Sequence, residues 1–435
     1  MAAGTATIAS PSAGNLLITT QTPRTVINWQ SFSIGKTESV VVNQPNAGSI
    51  LLDRVVAGGP ISVLLGQMTS NGRLILINQA GIVVGSGAQI TAAQLLFSTH
   101  DLSDANFLGG GTLAFNLTGD PNSKVVNHGT LTATGGSAIL AGDAVKNDGV
   151  ITAALGTVVL GAAKTYTVDF TGDGLLRFAV TAPVDQVAPG TKALVENSGT
   201  LSAPGGTVLL TGAAAKGVID NVINTSGIIE ATSVASVNGQ IVLSGTGGGT
   251  LVSGTLDASG KGAGETGGSV AVTGDTVTLA AGARIDVSGD SGGGTAFIGG
   301  NFHGAGPLPN AQATTVSQGA SIIADAITSG DGGQVAVWSD GVTRFSGAIT
   351  ARGGAKSGNG GYVETSGHQQ LFVAGSVNTS AAHGHAGTWL LDPSDLTVCS
   401  ATNCSTSGTT ISNALLTGEV IIEAIGGGNN AQITG

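Results

Sequence analysis

Charged side chains make up only 9% of the 435 residues, and aromatic ones only 3%. Disordered chains combine high charge with low hydrophobicity, whereas 41% of these residues are hydrophobic. The 15 Lys and Arg form no basic stripe and are outnumbered by 26 Asp and Glu, which opposes binding to phosphate backbones. We therefore predict an ordered protein, built around Val, Ile, Leu and Ala, that does not bind nucleic acid.

Long apolar runs and cysteines are also scarce. No run approaches the roughly 18 residues that a membrane-spanning helix needs. The first fifteen residues lack the basic start and apolar centre of a signal peptide. Cys399 and Cys404 are the only two cysteines. Their short spacing permits a disulfide loop, which would indicate an oxidising compartment; two free thiols are the alternative.

Glycine, by contrast, is abundant, with 73 residues and no Gly-X-Y period, so the chain is not collagen-like. Residues 71–90, NGRLILINQAGIVVGSGAQI, alternate short apolar segments with Asn and Gly. Gly and Asn disfavour a helix interior and favour tight turns, so this pattern indicates short strands. Four consecutive apolar residues at 74–77 predict a strand covered on both faces. We expect an extra layer packed on the coils of the first 110 residues.

The middle of the chain repeats itself. NHGTLTATGGSAIL at 127, NDGVITAALGTVVL at 147 and NSGTLSAPGGTVLL at 197 align without gaps, and looser copies follow. Units of about 20 residues with alternating apolar positions cannot close a core alone and must stack. A parallel β-helix is therefore predicted, in preference to a helical solenoid. The repeated Asn127, Asn147 and Asn197 are expected to stack at one corner and hydrogen-bond between coils.

An insertion at about 161–196 interrupts the repeat. Two alternating runs, 165–170 and 175–180, are joined by Thr-Gly-Asp-Gly. Such a pattern predicts a β-hairpin. We expect it to extend from the β-helix and cover one face.

Several segments resemble a known family. TVINWQSFSIG (25–35), the segment at 43–90 and LLFSTHDLSDANFLGG (95–110) are similar to the N-terminal secretion domain of filamentous haemagglutinin-type exoproteins. These are the secreted partners of two-partner secretion systems. The similarity is specific over residues 5–120. YTVDFTGDGLLRFAVT and GTWLLDPSDLTV resemble segments that recur further along such proteins.

The resemblance implies an all-β, right-handed parallel β-helix with extra-helical hairpins near its N-terminal part. It also implies export across the outer membrane by a β-barrel transporter whose periplasmic domains recognise the N-terminal domain. We assign residues 1–120 to the secretion domain and 121–435 to passenger repeats, with the protein secreted or on the cell surface. The expected recognition residues are Asn43, Gln44, Pro45, Asn46, Asn78 and Gly81.

One of these motifs departs from the family pattern. The family commonly has Asn-Pro-Asn-Gly where this chain has Asn-Gln-Ala-Gly at 78–81. The turn-forming ends, Asn78 and Gly81, are kept. Turn formation alone is an alternative explanation for Asn and Gly at these positions.

For the passenger we expect adhesion to a host or cell-surface glycan or protein receptor. The alternative is a secreted polysaccharide-degrading enzyme, because parallel β-helices also support lyases and hydrolases. Asp286, Asp290 and Asp325 are its candidate carboxylates, yet each lies in a turn-rich segment where Asp is common. We therefore predict no enzyme activity, no cofactor and no metal site; His383 and His385 are expected to be solvated loop residues.

The ends of the chain complete these expectations. No Pro-rich or charged linker interrupts the strand and turn pattern, which favours one continuous solenoid. The last residues, GGGNNAQITG, have no capping pattern, although solenoid ends expose strand edges. We expect the whole 435-residue chain to be the N-terminal part of a longer exoprotein.

Overall fold

The computed structural model describes residues 2–169, 177–394, 396–399, 404–423 and 432–433. The chain divides into two compact units. One comprises Met1–Ala203 and Thr207–Asn224, and the other comprises Pro204–Gly206 and Thr225–Gly435. The chain passes from the first to the second within strand β24 (Asn221–Thr225).

In the first unit, each coil after the first adds one strand to each of three sheets, and strands of successive coils pair in parallel. Sheet 1B begins with an antiparallel pair and contains β1 (Ala6–Ser12), β2 (Asn15–Thr20), β4 (Ser39–Asn43), β7 (Gln67–Ser70), β10 (Gln89–Ala92), β14 (Thr130–Ala133), β17 (Val150–Thr152) and β22 (Thr200–Ser202). Sheet 1A contains β3 (Arg24–Trp29), β5 (Ile50–Val55), β8 (Arg73–Asn78), β11 (Gln94–Ser98), β15 (Ser137–Gly142), β18 (Thr157–Ala162) and β23 (Thr207–Ala213). Sheet 1C contains β6 (Ser62–Leu64), β9 (Ile82–Val84), β13 (Val125–Asn127), β16 (Val145–Asn147) and β21 (Ala193–Asn197).

The predicted stacking of asparagine side chains at one corner of the coils is confirmed. Asn127 pairs in register with Asn147, and Asn147 with Asn197. Each amide donates from Nδ2 to Oδ1 of the next, at 2.8 Å in both steps. Because the three amides are buried, this ladder supplies hydrogen bonds to polar groups within the core.

A second layer covers the outward face of sheet 1A. It consists of the short helix α1 (Asp104–Gly109) and a three-stranded antiparallel sheet, 1D, of β12 (Thr112–Phe115), β19 (Thr165–Asp169) and β20 (Arg177–Ala182). Phe107, Phe115 and Tyr166 from this layer form one buried cluster with outward side chains of sheet 1A such as Ile75 and Leu96. The predicted extra layer and the predicted hairpin are thereby confirmed. The residues that connect the two hairpin strands, 170–176, lie outside the described chain.

The second unit repeats the three-sheet plan with longer connections. Sheet 2B contains β25 (Ile228–Glu230), β28 (Thr255–Asp257), β31 (Arg284–Asp286), β34 (Ser321–Ile323), β37 (Ala348–Thr350) and β40 (Ser376–Asn378). Sheet 2A contains β26 (Gln240–Thr246), β29 (Ser269–Thr273), β32 (Thr295–Ile298), β35 (Gln334–Val337), β38 (Tyr362–Thr365), β41 (Thr388–Leu391) and β44 (Glu419–Ile422). Sheet 2C contains β27 (Gly249–Val252), β30 (Thr276–Leu279), β33 (Ala313–Val316), β36 (Val342–Phe345), β39 (Gln370–Val373), β42 (Thr397–Cys399), β43 (Thr406–Ser407) and β45 (Gln432–Ile433).

Side chains alternate between the two faces of each strand, and this alternation decides which side chains of the second unit are buried. Leu256 and Ile285 pair in register and are fully buried, as are Val270 and Val272 of sheet 2A. A 3₁₀ turn (Phe302–Gly304) and the helix α2 (Gly408–Leu415) complete the unit. No helix among the described residues has the length and apolar character that crossing a membrane requires. The predicted parallel β-helix is confirmed, while the boundary at residue 120 and the continuity of the solenoid stay predictions.

Candidate functional site

The first recognition motif lies where the chain turns from sheet 1B into sheet 1A. Gln44 is buried, and its N–H donates to Oδ1 of Asn71 at 2.7 Å, while Asn71 Nδ2 donates to the Gln44 carbonyl at 2.8 Å. The Gln44 amide donates to Ser70 Oγ at 3.0 Å and to the Arg73 carbonyl at 2.8 Å. Gln44 therefore fastens this corner to the same corner of the next coil.

The other three residues of that motif are exposed. Asn43, Pro45 and Asn46 all present their side chains to solvent. Oδ1 of Asn46 accepts from the Gly48 N–H at 2.9 Å, and the Asn46 carbonyl accepts from the Ser49 N–H at 3.1 Å. The result is a surface turn that local hydrogen bonds hold in place, next to the buried Gln44.

The second motif forms a turn at a different corner, between sheets 1A and 1C. Asn78 is buried and donates to the Pro60 carbonyl at 2.8 Å and to Ser62 Oγ at 2.9 Å. The Asn78 carbonyl accepts from the Gly81 N–H at 3.0 Å, which closes the turn. Gly81 has φ of 121°, a conformation that side chains disfavour.

The departure from the family pattern at residue 79 has a structural consequence. Gln79 Nε2 donates to the carbonyls of Leu117 and Thr118 at 3.0 and 3.1 Å. A proline has no such donor, so Gln79 connects the turn to the segment that follows β12. Asn78 and Gly81 thus have structural roles, and of the six predicted recognition residues Asn43, Pro45 and Asn46 are the exposed ones.

Two of the three candidate carboxylates meet in a groove of about 440 Å³ in the second unit. Asp286 accepts from Lys261 Nζ at 2.9 Å and from Arg284 at 2.8 Å, and Asp325 accepts from Arg352 at 2.7 Å. The carboxylates are buried, whereas the three cationic side chains are about half exposed. Asp290 is not among the residues lining this groove.

These contacts decide the protonation of Asp286. Burial raises its pKa, but hydrogen bonds from Ser288 and Lys261 outweigh that effect and leave the pKa below its usual value. Asp286 is therefore ionised at neutral pH.

Asp290, the third candidate carboxylate, accepts from the Gly264 N–H at 2.7 Å and from Thr328 Oγ1 at 2.5 Å. These contacts join neighbouring turns.

The remaining predicted residues lie on loops of the second unit. His383 and His385 are exposed, and the His385 N–H donates to Oδ1 of Asn359 at 2.9 Å. A disulfide joins Cys399 to Cys404, whose Cα atoms are 6.0 Å apart. Its presence in the exported protein stays a prediction.

One cluster was missed by sequence reasoning. His303, Glu364 and Asp392 offer ligand atoms that all lie within 4.8 Å of one another. His303 is 61 residues from Glu364 and 89 from Asp392. No short motif could signal such a set, because the three residues meet only when separate coils stack.

Comparison with solved and curated proteins agrees with this architecture. The crystal structure of the HMW1 secretion domain from Haemophilus influenzae superposes with a TM-score of 0.76 at 32% identity, covering 90% of this chain and 98% of that chain. Two curated heme/hemopexin-binding proteins of H. influenzae, one from strain Rd, are 31% and 28% identical over 53% and 55% of this chain. The chain spans about a quarter of their length. The family model for the TPS secretion domain matches residues 2–257, and the chain therefore belongs to that family, the secretion domains of two-partner secretion exoproteins.

Proposed function

We propose that residues 1–120 are the region read by a partner outer-membrane transporter, and that the exposed turn of Asn43, Pro45 and Asn46 makes the contact. The observation that carries this proposal is the division of the first motif into a buried anchor, Gln44, and a rigid exposed turn. A preorganised turn loses little conformational entropy when it binds, which favours recognition.

The same coils would start folding outside the membrane. Each new coil buries apolar side chains and pairs its backbone with the coil before it, so export by sequential folding needs no nucleotide. The cluster beneath sheet 1D extends from Val26 of β3 to Val159 of β18 and gives these coils of the first unit a second core layer. We propose that this doubly covered region is the template for the residues that follow, which are exported as passenger.

A matched pair of turns tests the recognition surface. Pro121 and Asn122 form another exposed Pro-Asn turn, held by Asp120 Oδ1 at 2.9 Å. The chain, preceded by a signal peptide, is co-expressed with its transporter. We expect P45A/N46A to lower the amount in the medium at least tenfold without changing thermal stability, and P121A/N122A to be secreted normally. Equal secretion of both variants would refute the proposal.

For the passenger we propose adhesion to an anionic glycan at the groove of Lys261, Arg284 and Arg352, without catalysis. The groove has three half-exposed cations and two carboxylates in a chain with net charge −11. Cations gathered in a cleft attract carboxylated or sulfated sugars. Asp286 is held ionised by its neighbours, which supports a structural role and argues against a general acid for polysaccharide cleavage.

Glycan binding separates these alternatives. We expect the secreted protein to bind sialylated or sulfated oligosaccharides on an array, with binding lost in K261Q/R284Q and kept in K216Q, which removes an exposed cation of the first unit. Binding that is unchanged in K261Q/R284Q would contradict the adhesion site. New reducing or unsaturated ends on incubated polysaccharides would instead identify the enzyme alternative.

A further inference from the structure

A long connection of the second unit crosses the outward face of sheet 2A. It joins β32 to β33 and carries His303, which has φ of 54°. Beneath it lies Glu364 of β38, in register with Ala336 and Phe297 of the preceding coils. Phe297 and the neighbouring Tyr362 also contact Phe302 of the connection, with ring centroids 5.7 and 5.3 Å apart. These aromatic contacts hold His303 above Glu364.

The donor atoms of three side chains converge there. His303 Nδ1 lies 3.2 Å from Oδ2 of Asp392, which directly follows β41. The His303 N–H donates to both Glu364 oxygens, at 3.2 and 3.0 Å. Glu364 is fully buried and Asp392 nearly so, whereas the His303 side chain is half exposed. One nitrogen and two carboxylates therefore face a common point that solvent reaches from the His303 side.

Glu364 and Asp392 have fewer positively charged partners than the buried carboxylates of Asp286 and Asp325. Asp286 and Asp325 are each paired with Lys or Arg. In the described chain, the only ion pair at Glu364 or Asp392 is the one between Asp392 and His303. Glu423 adds further negative potential at His303. Burying two carboxylates against one imidazole is costly, and a bound cation would offset that cost.

We propose that His303, Glu364 and Asp392 bind a divalent transition-metal ion of the zinc class. One imidazole with two carboxylates suits Zn²⁺ or Mn²⁺, whereas Ca²⁺ prefers six to eight oxygens. Zinc bonds of about 2.0–2.2 Å at tetrahedral angles place ligand atoms roughly 3.3–3.6 Å apart. The ligand atoms of His303, Glu364 and Asp392 all lie within 4.8 Å of one another, so the three side chains would move closer together on binding the ion. An ion there would fasten the connection of residues 299–312 to sheet 2A.

Calorimetric titration of the untagged, EDTA-treated chain with ZnCl₂ tests the site. We expect one Zn²⁺ per chain and at least tenfold weaker binding in H303N, since Asn tolerates positive φ and keeps the local backbone. E364Q is expected to weaken zinc binding similarly. Saturating zinc should raise the thermal midpoint of the wild type but of neither variant. Titration with CaCl₂ should give no comparable binding.

The matched control is H383A/H385A, which removes two exposed histidines of the same unit. We expect it to bind zinc as the wild type does. Loss of zinc binding in this control, wild-type affinity in H303N, or no binding by the wild type would each overturn the proposal. If E364Q does not fold, H303N decides the question, because its side chain is half exposed.

Discussion

Asp53 shows how one buried side chain makes stability depend on pH. It lies in β5, fully buried, where Oδ1 accepts from Trp29 Nε1 at 2.8 Å and Oδ2 has no hydrogen-bond partner. Burial raises the pKa of Asp53 to about 7, and the Trp29 hydrogen bond opposes this only in part. The folded protein therefore holds Asp53 protonated at pH values where the unfolded chain has already released that proton.

We predict that D53N is stabilising relative to wild type at pH 8 but not at pH 4. Below about pH 4 both states are protonated, so Asp53 has no pH effect. As the pH rises from 4 to 7, the unfolded state ionises first and wild-type stability falls, by an amount on the order of 4 kcal/mol. Urea unfolding at both pH values measures this difference. The exposed D220N is the control, and equal effects of D53N at both pH values would contradict the prediction.

The asparagine ladder gives a second prediction for a single residue. N147A removes the donor to Asn197 Oδ1 and the acceptor for Asn127 Nδ2, and so deletes two hydrogen bonds between buried amides. We expect a loss of about 1–3 kcal/mol in the free energy of unfolding. The exposed N43A should change it by less than about 0.5 kcal/mol. Urea unfolding of both variants measures the contrast, and similar values would show that the ladder is not stabilising.

For sheet 1D, the critical contact is with the glycine beneath it. A Cβ built on Gly161 of β18 would lie 2.5 Å from the ring of Phe178 in β20. G161V should therefore displace the hairpin and cost about 1–3 kcal/mol. Thermal unfolding and hydrogen exchange of β12 and β19 would detect this. G109V is the control, because nothing lies within 4 Å of its Cβ; equal stability of the two variants would contradict the role of this contact.

The pairing of Cys399 with Cys404 is a further local feature of one part of the chain. We predict that these residues are disulfide-bonded in the exported protein, as their Cα separation of 6.0 Å permits. Mass spectrometry after alkylation without reductant should find no modified cysteine, and modification after reduction is the control. Two alkylated thiols in unreduced native material would contradict the prediction and weaken the case for export.

At the scale of the whole molecule, export should depend on the first coils and tolerate loss of a later one. Deletion of residues 43–85 is expected to abolish appearance in the medium while synthesis continues, because it removes both motifs. Deletion of residues 284–320 removes one coil between register partners Arg284 and Ser321. That variant should still be secreted. Immunoblots of medium and cells measure both, and secretion of the first variant would refute the assignment.

The sequence by itself determined the repeating coil, the Asn127–Asn147–Asn197 ladder and the hairpin over the first coils. These follow from alternation and turn residues, which act over a few neighbours and recur in each coil. Only the tertiary structure decided that Gln44 is buried while Asn43 and Pro45 are exposed. It also decided which distant residues meet, in the groove of Asp286 and Asp325 and at His303, Glu364 and Asp392. Those encounters depend on coil register and on connections of variable length, neither of which leaves a local pattern in the chain.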